Sequence, residues 1–309
     1  MGVKHVDSPG GRVAVIGGRG MLGKDLLVSL GRAGFEPICL DLAEVDITDV
    51  KSVDSCLAET VPDLAVNCAA YTAVDRAESE RDLAFKVNAG GPANLADVCS
   101  ARRIPLVHIS TDYVFDGSSR RPYVEDDPPA PLGVYGASKW EGEQAVRQRL
   151  VEYLIVRTAW LYGVHGNNFV KTILKLASDR EEIKVVADQY GCPTWTVSLA
   201  DALTVVAREI LRGKARVLWG TYHFCGGGQT SWHEFAKAIV AEGRHYRAFR
   251  LKSVKAISTA EYPTPAPRPS WSVMDCGRIR KAFSIAQPEW LTALPAMIAE
   301  LHSNHDTEE

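Results

Sequence analysis

A glycine-rich turn lies between an apolar segment and a helical segment near the amino end of the chain. The run Arg-Val-Ala-Val-Ile-Gly leads into Gly17-x-x-Gly20-x-x-Gly23, and the next residues keep helical spacing up to Gly34. Glycine lets a backbone approach a pyrophosphate, and a helix amino terminus favours the phosphate charge. Three such glycines alone also fit a plain tight turn. Their position after the first strand of an alternating chain favours a dinucleotide site.

The first half of the chain alternates strand-like and helical segments. Short apolar runs predict strands at 12–17, 36–42, 62–70, 105–110 and 152–161. Helical spacing predicts helices at 21–34, 49–60, 80–103 and 135–150. Apolar strands separated by helices are typical of a parallel sheet covered on both faces. We therefore predict an α/β fold of the Rossmann type, with a doubly wound parallel sheet.

The alternation becomes less regular after about residue 160. Helical patterns remain at 167–180, 197–213, 231–243 and from 291 to about 301, with strands near 182 and 220 and a Pro-rich segment at 258–271. We predict a dinucleotide-binding domain over 1–160. The remainder, 161–309, is predicted to form mainly a smaller substrate-binding lobe, with some segments returning to the first domain.

Composition narrows the classes of partner. The net charge of −3 over 309 residues gives no electrostatic footprint for nucleic acid or an anionic membrane. No segment approaches the roughly 20 apolar residues that span a bilayer, and the first twelve residues lack the apolar core of a signal peptide. The seven cysteines form no C-x-x-C pair and no Cys/His cluster at metal spacing. We expect a cytoplasmic protein with reduced thiols.

Polar side chains with acid–base chemistry follow the fourth predicted strand. Thr111 comes directly after that strand, at an edge where open α/β sheets place their ligands. Tyr135 and Lys139 lie four residues apart at the start of a helix, so they share one face. Separately, these residues also fit a strand-end cap and a surface pair. A lysine ammonium beside a phenol is expected to lower the pKa of the tyrosine from about 10 toward the working range.

Together, the glycine turn, Thr111 and Tyr-x-x-x-Lys resemble the extended short-chain dehydrogenase/reductase superfamily. The resemblance implies that Thr111 polarises a substrate carbonyl, Tyr135 donates a proton and Lys139 holds the nicotinamide ribose. Asn88, in Val-Asn-Ala-Gly-Gly-Pro, matches an asparagine of the superfamily with a structural or proton-relay role. A nicotinamide coenzyme would carry the hydride, and the protein would orient it.

Segments along nearly the whole chain are similar to dTDP-4-dehydrorhamnose reductases. They include Ser-Thr-Asp-Tyr-Val-Phe-Asp-Gly (110–117), Arg-Thr-Ala-Trp-Leu-Tyr-Gly (157–163) and Val-Val-Ala-Asp-Gln-Tyr-Gly-Cys-Pro-Thr (185–194). This resemblance implies reduction of dTDP-4-dehydro-β-L-rhamnose to dTDP-L-rhamnose by NADPH or NADH, the last step in making this activated sugar for surface polysaccharide.

Binding roles follow from the glycine turn, the strand ends and the resemblance. Asp41, near the end of the second strand, favours NADH through the adenosine ribose, whereas Arg19 in the glycine turn favours the 2′-phosphate of NADPH, so the preference stays open. The substrate set is Thr111, Asp112, Trp160 and Arg268, the last by pairing with the substrate pyrophosphate. The expected coenzyme set is Gly17, Arg19, Gly20, Met21, Leu22, Gly23, Asp41, Asp46, Ile47, Ala69, Ala70, Tyr71, Asn88, Tyr135 and Lys139.

The resemblance leaves alternatives. One is a related 4-ketoreductase for another deoxysugar, and another is a non-catalytic NADP-binding regulatory subunit of the same fold. A nucleotide-sugar 4,6-dehydratase is disfavoured because Asp112 is followed by Tyr113 and not by a second carboxylate. Some family members hold Mg²⁺ in a dimer through glutamates. The matching position here is Asp25 and the other ligands are not matched, so the sequence allows a homodimer but does not support Mg²⁺.

Overall fold

The computed structural model describes residues 10–213 and 219–305. The expectations for the first nine residues therefore fall outside the described residues. Within those ranges, no helix has both the length and the apolar character needed to cross a lipid bilayer.

A six-stranded parallel sheet forms the centre of the fold, as the alternating sequence predicts. Its spatial order is β2–β1–β3–β4–β5–β10, and every neighbouring pair is parallel. The order reverses between β1 and β3, so the helices that follow these two strands lie on opposite faces. The strands are β1 Arg12–Ile16, β2 Glu36–Leu40, β3 Leu64–Asn67, β4 Leu106–Thr111, β5 Tyr153–Thr158 and β10 Gly220–His223.

Helices cover both faces of this sheet because each strand is apolar on both sides. Val13 and Val15 pack toward helices α1 and α8, while Ala14 and Ile16 pack toward α2 and α5. The covering helices are α1 Met21–Arg32, α2 Val50–Thr60, α5 Gly91–Arg102, α6 Val134–Arg149, α8 Thr196–Leu211 and α10 Gly277–Phe283. Two short helices, α3 Val74–Ala77 and α4 Arg81–Phe85, precede α5, and a π-helical turn over Lys86–Gly90 joins α4 to it. The doubly wound Rossmann-type arrangement is confirmed.

A smaller lobe surrounds a separate apolar core. Its helices are α7 Phe169–Asp179, α9 Trp232–Gly243 and α11 Trp290–His305, and Ile173, Phe235 and Met297 are buried between them. Its main strands, β7 Glu182–Val186 and β12 Ser253–Ile257, pair in parallel. Four two-residue strands form two further ladders, in which β6 Leu161–Tyr162 pairs with β9 Thr194–Trp195 and β8 Tyr190–Gly191 pairs with β11 Thr230–Ser231. The domain boundary at residue 160 stays a prediction.

Candidate active site

A cleft of about 830 Å³ opens at the carboxyl ends of the central strands. It extends from the glycine turn after β1, past the ends of β3 and β4, to the segment that follows β5. Open α/β sheets bind ligands at this edge, and especially where the strand order reverses. The fold therefore gathers segments distant in sequence into one elongated site.

The glycine turn closes one end of the cleft. Gly17 has φ of 77°, in the left-handed region that favours glycine, and a Cβ there would lie 2.7 Å from Ala69 N. Helix α1 begins at Met21, immediately after the turn, so its free N–H groups face the cleft. Gly23 lies beneath the turn, where a Cβ would come within 2.2 Å of Gly17 O. The turn thus presents backbone N–H groups to the cleft, an arrangement that suits an anionic group.

The end of β2 carries a small charged cluster. Asp41 Oδ2 accepts a hydrogen bond from Arg19 N at 2.9 Å, and Oδ1 accepts one from Leu42 N at 2.9 Å. The guanidinium of Arg19 is paired with both carboxylate oxygens of Glu44, at 2.7 and 2.5 Å. Arg19 and Asp41 both line the cleft, as the sequence predicts, but Glu44 is a partner that sequence reasoning missed.

Thr111 and Asp112 lie in the cleft where β4 ends. Thr111 Oγ1 donates to Asp112 Oδ1 at 3.0 Å and accepts from Tyr113 N at 3.2 Å. Asp112 is 2% exposed, and its Oδ2 has no hydrogen-bond partner. Burial raises the pKa of Asp112 to about 6, although hydroxyls of Ser272 and Thr111 act in the opposite direction. A buried carboxyl group is therefore available to a hydroxyl-bearing ligand.

Tyr135 and Lys139 face the cleft from the first turns of α6. The amino end of this helix is fixed by Glu78, whose Oε1 accepts from Val134 N at 2.8 Å. Lys139 is 2% exposed, and its Nζ donates to Ile109 O at 2.6 Å. Burial lowers the pKa of Lys139 to about 8, while the nearby Glu143 carboxylate raises it.

The expected lowering of the tyrosine pKa is not found. The low-polarity surroundings of the Tyr135 hydroxyl raise its pKa to about 12, outweighing a hydrogen bond with Thr111 that lowers it. Lys139 directs its Nζ to a backbone carbonyl. Tyr135 therefore keeps its proton at neutral pH, which suits a proton donor.

Asn88 is 1% exposed and lies behind the cleft wall. Its Oδ1 accepts from Tyr71 N at 2.8 Å, and its Nδ2 donates to Tyr71 O at 3.0 Å and to Ser138 Oγ at 3.0 Å. Ser138 Oγ in turn donates to Tyr135 O at 2.8 Å. Because all its polar atoms are used, Asn88 joins the segment after β3 to the helix that carries Tyr135.

Trp160 borders the cleft on the side of the small lobe. Its φ is 47°, a strained value for a non-glycine residue, and its ring stacks on Trp232 with centroids 3.4 Å apart. Trp232 also lines a second cavity of about 310 Å³ in the lobe, together with Phe169 and Arg268. The stacked indoles therefore separate two adjoining cavities.

Arg268 lies in the second cavity and is paired with an acidic residue. Its guanidinium donates to both carboxylate oxygens of Asp75, at 3.1 and 2.8 Å. An approaching pyrophosphate would have to compete with this carboxylate.

The cleft gathers most of the predicted residues. Those that line it are Gly17, Arg19, Gly20, Met21, Leu22, Asp41, Ala69, Ala70, Thr111, Asp112, Tyr135, Lys139 and Trp160. Six others do not line it, namely Gly23, Asp46, Ile47, Tyr71, Asn88 and Arg268. Of these, Asp46 accepts two bonds from Thr48, Ile47 packs against Gly91, and the Tyr71 hydroxyl donates to Glu80.

Sequence reasoning missed part of the lining. Thr72, Thr158, Gly166 and Asn167 all face the cleft. Thr158 ends β5, and the Gly-Asn-Asn segment follows it, so the rule that ligands gather at carboxyl strand ends could have indicated both.

Asp25 is engaged by side chains of the same chain. Its carboxylate accepts from Thr196 Oγ1 and lies 3.6 Å from His165 Nε2. Among residues 10–213 and 219–303, no group of three or more His, Cys, Asp or Glu side chains is arranged to hold a metal ion. Asp25, Thr196 and His165 alone do not make up the octahedral oxygen shell that Mg²⁺ prefers.

Known proteins resemble this chain over nearly its full length. The family model described as the RmlD substrate binding domain matches residues 11–303. A dTDP-4-dehydrorhamnose reductase of Sinorhizobium fredii is 41% identical, covering 90% of this chain and 94% of its own. One from Aggregatibacter actinomycetemcomitans is 42% identical, covering 92% and 97%. The crystal structure of dTDP-4-dehydrorhamnose reductase from Bacillus anthracis in complex with NADP has a TM-score of 0.87 at 40% identity, covering 94% and 99%.

The fold and the cleft define a nicotinamide-dependent oxidoreductase of the short-chain dehydrogenase/reductase type, in which Thr, Tyr and Lys side chains line the same cleft as the glycine turn. Within that class, the chain belongs to the dTDP-4-dehydrorhamnose reductase family.

Proposed function

We propose that this enzyme reduces the C4 carbonyl of dTDP-4-dehydro-β-L-rhamnose with NADPH or NADH and releases dTDP-L-rhamnose. The observation that carries the proposal is the meeting of Thr111, Tyr135 and Lys139 in one cleft that continues to the glycine turn. Family membership supports the choice of sugar nucleotide. The product would serve polysaccharide synthesis in the cytoplasm.

The residues have complementary roles in this reaction. When bound, the reduced nicotinamide supplies the hydride. Tyr135 gives its proton to the carbonyl oxygen, and Thr111 orients that oxygen by hydrogen bonding. Lys139, whose Nζ donates to Ile109 O, carries a positive charge below about pH 8. This charge stabilises the phenolate form of Tyr135 that results from the proton transfer.

The two adjoining cavities suit the two parts of a sugar nucleotide. We place the sugar between Tyr135 and Trp160, where the unpaired Asp112 Oδ2 can accept from a sugar hydroxyl. We place the nucleotide toward Phe169 and Trp232, whose aromatic faces suit a planar base. Arg268 lines that second cavity, and its guanidinium would bind a pyrophosphate by exchanging the Asp75 carboxylate for the phosphate oxygens.

The test follows loss of reduced nicotinamide absorbance with dTDP-4-dehydro-L-rhamnose generated in situ. Tyr135→Phe should lower kcat by roughly 100-fold or more, because general acid catalysis contributes that much, and the dissociation constant of the coenzyme should change little. Tyr246→Phe is the matched control, since it removes the hydroxyl of a tyrosine that is 46% exposed and outside the cleft.

Two results would contradict the proposal. Near-normal kcat in Tyr135→Phe would remove the proposed proton donor. Coenzyme binding without turnover of this sugar would favour either another 4-keto sugar or a non-catalytic regulatory subunit, and a panel of nucleotide 4-keto sugars would separate these two.

A further inference from the structure

The charged cluster at the end of β2 bears on the choice between the two coenzymes. Arg19 is the cation of the glycine turn, and its side chain is about half exposed. Its guanidinium forms a two-point pair with Glu44, at 2.7 and 2.5 Å. Glu44 is itself fixed, because its Oε2 also accepts from Asp41 N at 2.9 Å.

The acidic side chains outnumber the cation at this position. Asp41 and Glu44 contribute two carboxylates, and Arg19 contributes one positive charge. The pairing with Arg19 lowers the pKa of Glu44 to about 2, so Glu44 is ionised at neutral pH. A carboxylate at the end of the second strand favours a ribose with a free 2′-hydroxyl, whereas an arginine favours a 2′-phosphate. Here the arginine is already engaged.

We propose that Glu44 sets the coenzyme preference by holding Arg19, which restricts the advantage of NADPH over NADH. A 2′-phosphate is recognised best by a guanidinium with two free donors. To bind it, Arg19 has to leave Glu44, and that carboxylate then faces the phosphate with its negative charge. NADH can bind while Arg19 stays paired with Glu44, since the 2′-hydroxyl of NADH can donate to Asp41. The inference rests on the proposed function only in taking a nicotinamide dinucleotide as the ligand.

The experiment measures the dissociation constants of NADPH and NADH by fluorescence titration of the full chain, without sugar substrate and at one fixed salt concentration. Glu44→Gln should tighten NADPH binding by about fivefold, the scale expected for an exposed charge pair. NADH binding should change by less than about twofold, because its 2′-hydroxyl does not need Arg19. Adding Arg19→Met to Glu44→Gln should abolish the gain for NADPH.

Glu36→Gln is the matched control. Glu36 forms an exposed pair with Arg12, at 3.2 Å, at the opposite end of the same two strands. The Glu36→Gln substitution removes the same charge from the protein but lies outside the cleft. The ratio of the two dissociation constants should stay at the wild-type value.

Three results would overturn the inference: an unchanged ratio in Glu44→Gln, a gain that survives loss of Arg19, or an equal shift in Glu36→Gln. Because binding is measured without the sugar, failure to reduce a 4-keto sugar would contradict the proposed function and leave this test intact. Failure to bind either dinucleotide would contradict both.

Discussion

At the scale of single residues, Lys139 is a buried side chain whose surroundings disfavour its charged form. It is 2% exposed, and burial brings its pKa to about 8. Because the folded-state pKa is lowered, the charged form predominates below about pH 8 and is lost as the pH rises through that value. The neutral amine cannot stabilise a phenolate, so catalysis should depend on this titration.

We therefore predict that kcat/KM falls by about tenfold per pH unit above pH 8. The slope follows from a single essential proton on the free enzyme. Lys139→Met should lower kcat/KM by roughly 100-fold at pH 7 and remove this alkaline limb. The measurement is a pH profile of kcat/KM for both proteins, with far-ultraviolet circular dichroism at each pH as the control for unfolding. A wild-type profile that stays flat to about pH 10, where a free lysine titrates, would contradict the assignment.

At the scale of elements, a buried ion pair joins helix α6 to strands β4 and β5. Glu143 is 0% exposed and Arg157 is 1% exposed. The Glu143 carboxylate accepts from Arg157 Nε at 2.8 Å, from a second Arg157 nitrogen at 2.8 Å, and from Ser110 Oγ at 2.6 Å. Ser110 directly precedes Thr111, and Glu143 lies one helical turn after Lys139. The pair therefore sets the position of α6 relative to the end of β4.

Breaking this pair should be costly. We predict that Glu143→Gln lowers the free energy of unfolding by about 3 kcal/mol, because it leaves the buried Arg157 charge without its counter-ion. The double variant Glu143→Met with Arg157→Met should recover much of that loss, since both charges of the pair are then removed. Urea unfolding at neutral pH measures both.

Glu141→Gln is the control for the ion pair, because Glu141 is exposed on the same helix. A loss of less than about 0.5 kcal/mol in Glu143→Gln, the range of ordinary surface substitutions, would show that the pair does not hold the elements together.

Local sequence patterns predicted the elements better than their distant contacts. The strand and helix periods located β1 to β5 and the helices between them, and the motif spacing located Thr111, Tyr135 and Lys139. A return of later segments to the first domain was predicted, but the pairings of β10 with β5 and of β12 with β7 were not, because contacts between distant segments leave no local period. Helix α10 was also missed.

The same limit applies to side-chain partners. Arg268 appeared available to a phosphate, but its partner Asp75 is 193 residues away in sequence. The pKa of Tyr135 depended on how deeply its hydroxyl lies in the fold, which helical spacing does not report. The sequence therefore identified the residues with acid–base and charge-pairing chemistry, whereas the fold determined which of their charges are paired with other side chains.

At the scale of the whole molecule, His223 lies at a junction between the central sheet and the loop after β4. It ends β10 and is 0% exposed. Its Nδ1 lies 3.2 Å from Tyr123 O, and its Nε2 lies 3.4 Å from a nitrogen of Arg157. A ring that donates to the carbonyl and accepts from the guanidinium is neutral. Burial, reinforced by the Arg157 charge, lowers the pKa of His223 to about 3.

This junction should make the fold sensitive to acid. The unfolded chain takes up a proton on this histidine near pH 6.5, whereas the folded protein does so only near pH 3, so stability is lost as the pH falls below about 6.5. When the pH is lowered from about 7.5 to 5.5, the free energy of unfolding should therefore decrease in both proteins. The decrease in His223→Gln should be about 1 kcal/mol smaller than in the wild type. Urea unfolding at both pH values gives this difference, and other titrating groups cancel because both proteins contain them. His245→Gln replaces an exposed ring and should match the wild type. Equal losses in His223→Gln and the wild type would mean that the folded protein takes up this proton near pH 6.5, as the unfolded chain does.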